Sequence, residues 1–167
     1  YGGYNADRSY GVTSDKKVQV FVEFRNSEPN KLGIPLPAGK IRVYKADPAD
    51  KALEFVGEER IDHTPKDETL SLEIGNAFDI VGERTQTDFS VDSRGRVMEE
   101  AFEIRVRNHK DQAVEVIVRE NLYRWSNWRV VSNSMDYQKK DARTIEFPVK
   151  VAKDGEAVIT YRVRYSW

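Results

Sequence analysis

Residues 159–167 read Ile-Thr-Tyr-Arg-Val-Arg-Tyr-Ser-Trp, and this alternation of apolar with polar side chains decides the fold. Successive side chains of a β-strand point to opposite faces, so the stretch predicts a strand with one apolar and one polar face. Similar patterns predict strands over residues 17–25 and 97–108, and a further strand is expected over 53–61 as the chain continues its meander. Because no helix of ten residues is indicated anywhere, the sequence predicts an all-β protein.

Turn signals separate the alternating stretches. Ser-Arg-Gly at 93–95 and Lys-Asp-Gly at 153–155 each stand between two such stretches, as in a β-hairpin. Residues 97–105 include the helix formers Met-Glu-Glu-Ala, but the alternation continues through Val106 and favours a strand. Residues 75–82 are predicted to be irregular. About nine or ten strands at this spacing predict an antiparallel, two-sheet β sandwich of the immunoglobulin or fibronectin type.

The length of 167 residues suits one domain. We expect a flexible lead-in over residues 1–16 and a single β-sandwich domain over 17–167. Since the sequence starts at Tyr1 and not at Met, we expect it to be a fragment or a processed product of a longer protein.

Composition excludes several classes of function. Lys and Arg total 27 and Asp and Glu 28, so there is no overall charge to steer the chain onto nucleic acid. The absence of Cys excludes disulfides and thiolate metal sites. No apolar stretch approaches the roughly 20 residues that a membrane helix needs, so direct membrane insertion is not expected.

Short segments spread over most of the chain carry a resemblance to a known family. They include Leu-Gly-Ile-Pro-Leu-Pro-Ala-Gly-Lys at 32–40, Gly-Asn-Ala-Phe-Asp at 75–79, Asn-His-Lys-Asp at 108–111 and Tyr-Arg-Val-Arg-Tyr at 161–165. Together they resemble the C-terminal β domain of the proteins classed as domain of unknown function 4139, a group that overlaps mucoidy-inhibitor-like bacterial proteins. The resemblance implies a bacterial, exported, multi-domain parent in the periplasm or cell envelope, of which this chain is the C-terminal part. It implies no catalytic residue.

One group of aromatic residues is a candidate binding site. Exposed aromatic rings can stack on sugar rings or anchor a partner protein. The alternative is that they pack over the end of the core, as Trp commonly does. The group consists of Tyr123, Trp125, Trp128 and Tyr137.

A second candidate is a metal site around the chain's two His residues. Imidazole and carboxylate groups close together can bind a divalent cation or share a proton. Their spacing matches no standard site, and the alternative is that both segments are strand connections. The candidate ligands are His63, Asp67, Glu68 and His109.

Four Arg residues on polar strand faces form a possible basic strip. Such a strip can bind phosphate, or its members can pair with Glu103, Glu115 and Glu146 across strands. The four are Arg105, Arg107, Arg162 and Arg164.

The leading functional hypothesis is a non-catalytic protein-interaction or structural module that needs no cofactor. Its expected partner is another protein or another domain of the parent chain, with strand addition involving residues 1–14 as one mode. The alternatives are a carbohydrate-binding module that uses the aromatic group and a metal-dependent hydrolase centred on His63. No nucleophile elbow, phosphate loop or dinucleotide fingerprint occurs in the sequence.

Overall fold

The computed structural model describes residues 6–12, 17–47 and 49–167, and over these residues the chain is all-β with antiparallel sheets, as predicted. Apart from one 3-10 turn at Glu28–Asn30, the regular structure in these ranges is strand. No helix in these ranges is long and apolar enough to cross a membrane. The strands are β1 (Lys17–Arg25), β2 (Gly39–Ala46), β3 (Leu53–Ile61), β4 (Thr69–Asp92), β5 (Val97–Asn108), β6 (Val114–Asn121), β7 (Trp128–Asn133), β8 (Gln138–Lys139), β9 (Thr144–Val151) and β10 (Glu156–Ser166).

Most strands lie where the alternation predicts them. β1, β3 and β5 begin and end at the predicted residues, so the helix formers at 97–105 do adopt the strand conformation. The turns at 93–95 and 153–155 connect β4 to β5 and β9 to β10, and Asp154 takes a left-handed φ of 48°. Both hairpin predictions are confirmed.

The prediction of irregular structure over residues 75–82 is wrong, because they belong to the 24-residue strand β4. Gly75 adopts a φ of 130°, which L side chains rarely take, and the strand passes through it. From Ile80 to Asp92 the strand pairs with β5. A glycine that signals a break in sequence here allows an extended chain to continue.

The chain divides into two compact units. The large unit comprises Tyr1–Lys17 and Phe78–Trp167, and the small unit comprises Val18–Ala77. β4 contributes its first residues to the small unit and its remainder to the large unit. That residues 17–167 fold as one β-sandwich domain stays a prediction.

Two antiparallel sheets carry the core of the large unit, in the strand orders β4-β5-β10-β7 and β6-β9-β8. The ring of Phe147 in β9 lies 5.6 Å, centroid to centroid, from that of Tyr161 in β10. Tyr161 in turn stacks on Phe102 of β5 at 5.5 Å. The buried apolar side chains of this unit are Ile80, Met98, Phe102, Ile104, Val106, Leu122, Ile145, Phe147, Val149, Val151, Ile159, Tyr161, Val163 and Tyr165.

The small unit buries far less. β2 and β3 form a two-stranded antiparallel hairpin, and β1 is the neighbour of β4 in the sheet order. Among the described residues of this unit, the only buried apolar side chains are Leu70 and Leu72. Three larger apolar side chains of the hairpin, Tyr44, Leu53 and Phe55, are exposed.

The predicted lead-in over residues 1–16 lies partly outside the described residues, which leave out 1–5 and 13–16. Its described part, 6–12, forms a turn and not a strand. Asp7 holds this turn, since its Oδ1 accepts hydrogen bonds from the backbone N and the Oγ of Ser9 at 2.9 and 2.7 Å. These bonds lower the pKa of Asp7 below its ordinary value.

Candidate functional site

The predicted aromatic group lies in the large unit, and all four side chains are half-buried. Trp128 donates its Nε1–H to the carbonyl oxygen of Ala142 at 2.8 Å, and Lys139 Nζ lies 4.7 Å from its ring centroid. Tyr137 packs against Phe147 with ring centroids 5.9 Å apart. These side chains therefore make contacts within the unit, and carbohydrate binding stays a prediction. The group is Tyr123, Trp125, Trp128 and Tyr137.

The predicted metal ligands are all exposed and divide between the two units. His109 belongs to the large unit and the other three to the small unit. Over the described residues, no group of three or more His, Cys, Asp or Glu side chains is arranged to hold a metal ion. The metal-dependent hydrolase interpretation thus gains no ligand set from the structure. The four predicted ligands are His63, Asp67, Glu68 and His109.

The His63 connection instead forms one wall of a groove of about 420 Å³ in the small unit. Asn26, which is fully buried, holds the two walls together. Its Nδ2 donates to the carbonyl oxygens of Ile34 and Pro65 at 2.7 and 2.9 Å, and its Oδ1 accepts from Gly33 N at 3.0 Å. The groove is lined by Pro35, Leu36, Pro37, His63, Thr64, Pro65 and Lys66.

Acidic neighbours neutralise the predicted basic strip. Arg105 pairs with the predicted Glu103 at 2.8 Å, but within β5 and not across strands. Glu146, by contrast, pairs with Arg119, also at 2.8 Å, and not with the strip. Because every Arg of the strip has a carboxylate partner, the strip offers little attraction for an anionic polymer. The remaining pairs are Arg105 with Glu156, Arg107 with Glu83, Arg162 with Asp88 and Glu99, and Arg164 with Glu99.

A buried ion pair in the large unit was not predicted from the sequence. Glu100 lies on the inward face of β5, and Arg124 lies in the connection between β6 and β7. Arg124 Nε is 2.7 Å from Glu100 Oε1, and both side chains are 0% exposed. Gln86 Nε2 donates to the same oxygen at 3.0 Å. Burial raises the pKa of Glu100, while Arg124 and Gln86 act to lower it.

A second buried cluster lies in the same unit. Arg84 Nε donates to both carboxylate oxygens of Glu120 at 3.1 and 2.9 Å. Tyr161 Oη donates to Glu120 Oε2 at 2.5 Å. The Arg84 guanidinium also lies 3.7 Å from the ring centroid of Phe102. Burial acts to lower the pKa of Arg84, but the neighbouring Glu120 carboxylate raises it above its ordinary value. For Tyr161, burial is the main cause of a raised pKa, and Glu120 adds to it.

Side chains from both clusters point hydrogen-bond donors at backbone carbonyls of residues 7–11. We call the surface formed by Arg84, Gln86, Tyr123 and Arg124 the carbonyl cleft. Arg124 supplies three of its bonds, from Nη1 to the oxygen of Asp7 at 2.7 Å and from Nη2 to those of Arg8 and Tyr10 at 3.3 and 3.1 Å.

The other three side chains of the carbonyl cleft complete the set. Tyr123 Oη donates to the oxygen of Tyr10 at 2.9 Å, and its ring meets the Tyr10 ring edge-on at 5.4 Å. Arg84 Nη1 donates to the oxygen of Gly11 at 3.2 Å. Gln86 Nε2 donates to that of Arg8 at 3.4 Å. Burial raises the pKa of Tyr123, so this side chain keeps its donor proton at neutral pH.

One sequence signal could have revealed part of this arrangement. Glu100 stands at the same alternation position as Phe102 and Ile104, and Glu120 at that of Val116 and Val118. A carboxylate on an apolar strand face needs a buried partner, because an unpaired buried charge is strongly unfavourable. Arg124 lies in a connection between strands, where side chains follow no alternation, and so gives no such signal.

Comparisons of the chain with protein-family models, with curated proteins and with solved structures find no match. The resemblance to domain of unknown function 4139 stays a prediction that rests on the short segments in the sequence. Function is therefore inferred from the chemistry of the exposed and buried side chains.

Proposed function

We propose that this chain is a non-catalytic protein-interaction module whose docking surface is one face of the β2–β3 hairpin. The observation that carries the proposal is a set of three exposed apolar side chains, here called the hairpin face: Tyr44, Leu53 and Phe55. Their exposed fractions are 48%, 69% and 56%. Tyr44 pairs with Phe55 across the strands, and the rings meet edge-on at 5.7 Å.

The hairpin face has the composition of an interface core. Aromatic side chains are enriched at the centres of protein interfaces, and charged residues surround them. Here the charged border is Lys40 and Arg42, which bind Glu58 at 2.6 and 3.1 Å. These two bonds, Lys40 first, lower the pKa of Glu58. Because the border is internally paired, it favours an apolar protein surface over a polyanion as the partner.

The two-stranded form of the hairpin supports the same proposal. An isolated pair of strands is marginally stable in water, and further burial of one face stabilises it. A partner that covers Tyr44, Leu53 and Phe55 supplies this burial. We propose as occupant another protein or another domain of the parent chain, with an apolar contact surface.

The broader setting is part of the proposal. A face-to-face sandwich in the large unit is supported by the contact between Phe147 of β9 and Tyr161 of β10. A bacterial parent in the periplasm or cell envelope is supported only by the resemblance to domain of unknown function 4139.

The test is calorimetric titration of the chain with the remainder of its parent protein, produced separately. We expect binding by the unchanged chain and loss of at least about tenfold in affinity in the Tyr44→Ser, Phe55→Ser double variant. The matched control replaces two exposed apolar residues of the large unit, Ile117→Ser and Val131→Ser, and should bind as the unchanged chain does.

Sedimentation of the chain alone gives the second arm of the test. Self-association that the double variant abolishes would assign the hairpin face to a second copy. If the unchanged chain neither binds the rest of its parent nor self-associates, docking of the hairpin face on another domain of the parent is wrong.

A further inference from the structure

The contacts of residues 7–11 resemble those of a bound peptide more than those of a covalently continuous strand. The segment forms a turn, and its carbonyl oxygens accept six hydrogen bonds from four side chains of the carbonyl cleft. These side chains come from positions 84–124, far along the chain. We propose that the carbonyl cleft is a peptide-binding site, filled here by the chain's own turn and able to bind the same turn as a separate peptide.

Buried carboxylates hold the two Arg side chains of the carbonyl cleft in place. Arg124 is anchored by Glu100, and Arg84 by Glu120, so each guanidinium presents its remaining N–H groups in a fixed direction. Such pre-organisation lowers the entropy cost of binding. Since buried donors without acceptors are costly, a cleft built this way favours being filled with carbonyl oxygens.

The sequence of the turn suits the cleft at three positions. Asp7 closes the turn through Ser9. Tyr10 supplies the ring that meets Tyr123. Gly11 has a φ of 68°, and a Cβ there would overlap the Tyr123 ring. Carbonyl recognition is independent of side chains, so these three positions give the site its preference for a turn of the form Asp-x-x-Tyr-Gly.

The same Glu100 carries an unsatisfied polar atom. Its Oε2 is buried and has no hydrogen-bond partner among the described residues. The carboxylate therefore holds Arg124 through Oε1 at a cost in unsatisfied hydrogen bonding. The site belongs to the large unit and uses no residue of the hairpin face, so it is independent of the proposed function.

The experiment separates the turn from the rest of the chain after folding. A sequence-specific protease site is inserted between residues 12 and 17, and the folded protein is cleaved. We expect residues 1–12 to elute on gel filtration together with the rest of the cleaved chain, here called the body. A fluorescent peptide of the same sequence should replace them, and fluorescence polarisation measures this exchange.

Peptide variants test the contacts without changing the body. Tyr10→Ala and Gly11→Ala should each weaken binding about tenfold, since each removes or displaces the ring contact. Ala6→Ser, at an exposed position, is the matched control and should bind as the unchanged peptide does.

Circular dichroism of the cleaved body makes the result decisive. If the body unfolds on losing the segment and refolds on adding the peptide, the site is supported as well. If the body stays folded but does not bind the peptide, or unfolds and is not rescued, the proposal is overturned. Equal binding of a scrambled peptide would also overturn it.

Discussion

The two units differ in whether they bury aromatic rings and ion pairs. In the large unit the rings of Phe102, Phe147 and Tyr161 are buried, and even the ion pair of Glu100 with Arg124 is excluded from solvent. In the small unit the comparable rings of Tyr44 and Phe55 are exposed, and the ion pairs of Glu58 lie at the surface. The alternation along the strands is similar in both.

The difference shows what strand alternation can and cannot predict. The pattern gives the face to which a side chain points, but not what covers that face. β5 buries the alternate side chains of one face, whereas the β2–β3 hairpin carries apolar side chains that stay exposed among the described residues. These exposed rings in a regular strand pattern are the observation on which the proposed docking surface rests.

The largest expected effect is on the buried ion pair. Arg124→Ala leaves the Glu100 carboxylate buried without its cation and should lower the free energy of unfolding by about 3–5 kcal/mol. Urea unfolding followed by Trp fluorescence measures this, because all three Trp residues lie in the large unit. The control Arg107→Ala breaks the exposed pair with Glu83 in the same unit and should leave the transition nearly unchanged. Equal effects of the two variants would show that burial of the ion pair makes no difference.

Asn26 should give the next largest effect, this time in the small unit. Asn26→Ala removes three hydrogen bonds to the backbone of the groove walls, and we expect a cost of about 3 kcal/mol. Hydrogen exchange is the measurement, with faster exchange of the Gly33 amide as the specific sign. Unchanged protection of that amide would show that the groove does not depend on Asn26.

Tyr161→Phe tests the second buried cluster. Loss of the hydroxyl leaves Glu120 with one bond fewer, so unfolding should become easier by about 2 kcal/mol at neutral pH. The control is Tyr44→Phe, which removes a hydroxyl from an exposed ring and should have no measurable effect.

The same Tyr should affect alkaline stability. Burial and Glu120 raise its folded-state pKa above the unfolded value of about 10, so its contribution is fully present below about pH 10 and is lost as the pH rises through the folded-state pKa. We expect the free energy of unfolding of Tyr161→Phe to fall less steeply with pH than that of the unchanged chain. Unfolding measurements between pH 9 and 11, roughly one unit on each side of the unfolded-state pKa, test this. A slope equal to that of the unchanged chain would contradict this.

The smallest expected effect on stability is at the hairpin face. Tyr44→Ser with Phe55→Ser should cost about 1 kcal/mol or less, since both rings are half exposed and lose mainly their mutual contact. The same double variant is expected to weaken partner binding by at least about tenfold. A large loss of stability would show that these rings support the fold instead of a partner.

Local features of the fold could be predicted from the sequence, and long-range ones could not. The bounds of β1 and β5 follow from alternation, a property of neighbouring residues. The continuation of β4 past Gly75 could not be predicted, because a glycine gives no indication of whether the chain turns or stays extended. Glu100 and Glu120 could have been recognised from their alternation position.

The carbonyl cleft lies at the limit of what a sequence can reveal. Backbone carbonyls are identical in every residue, so nothing in the sequence marks residues 7–11 as the acceptors of Arg124. Nor could the predicted sites be assembled from spacing, since His63 and His109 belong to different units. The sequence shows chemistry at each position, but the fold decides which positions meet.

The docked turn has a consequence for the order of assembly. Its partners are encoded far downstream, with Asp7 and Arg124 separated by 117 positions. During synthesis residues 7–11 therefore emerge before the side chains that bind them, which lie in β4 and in the connection after β6. Because closing so long a loop is slow compared with forming a hairpin, this turn is expected to dock after the hairpins of the large unit have formed.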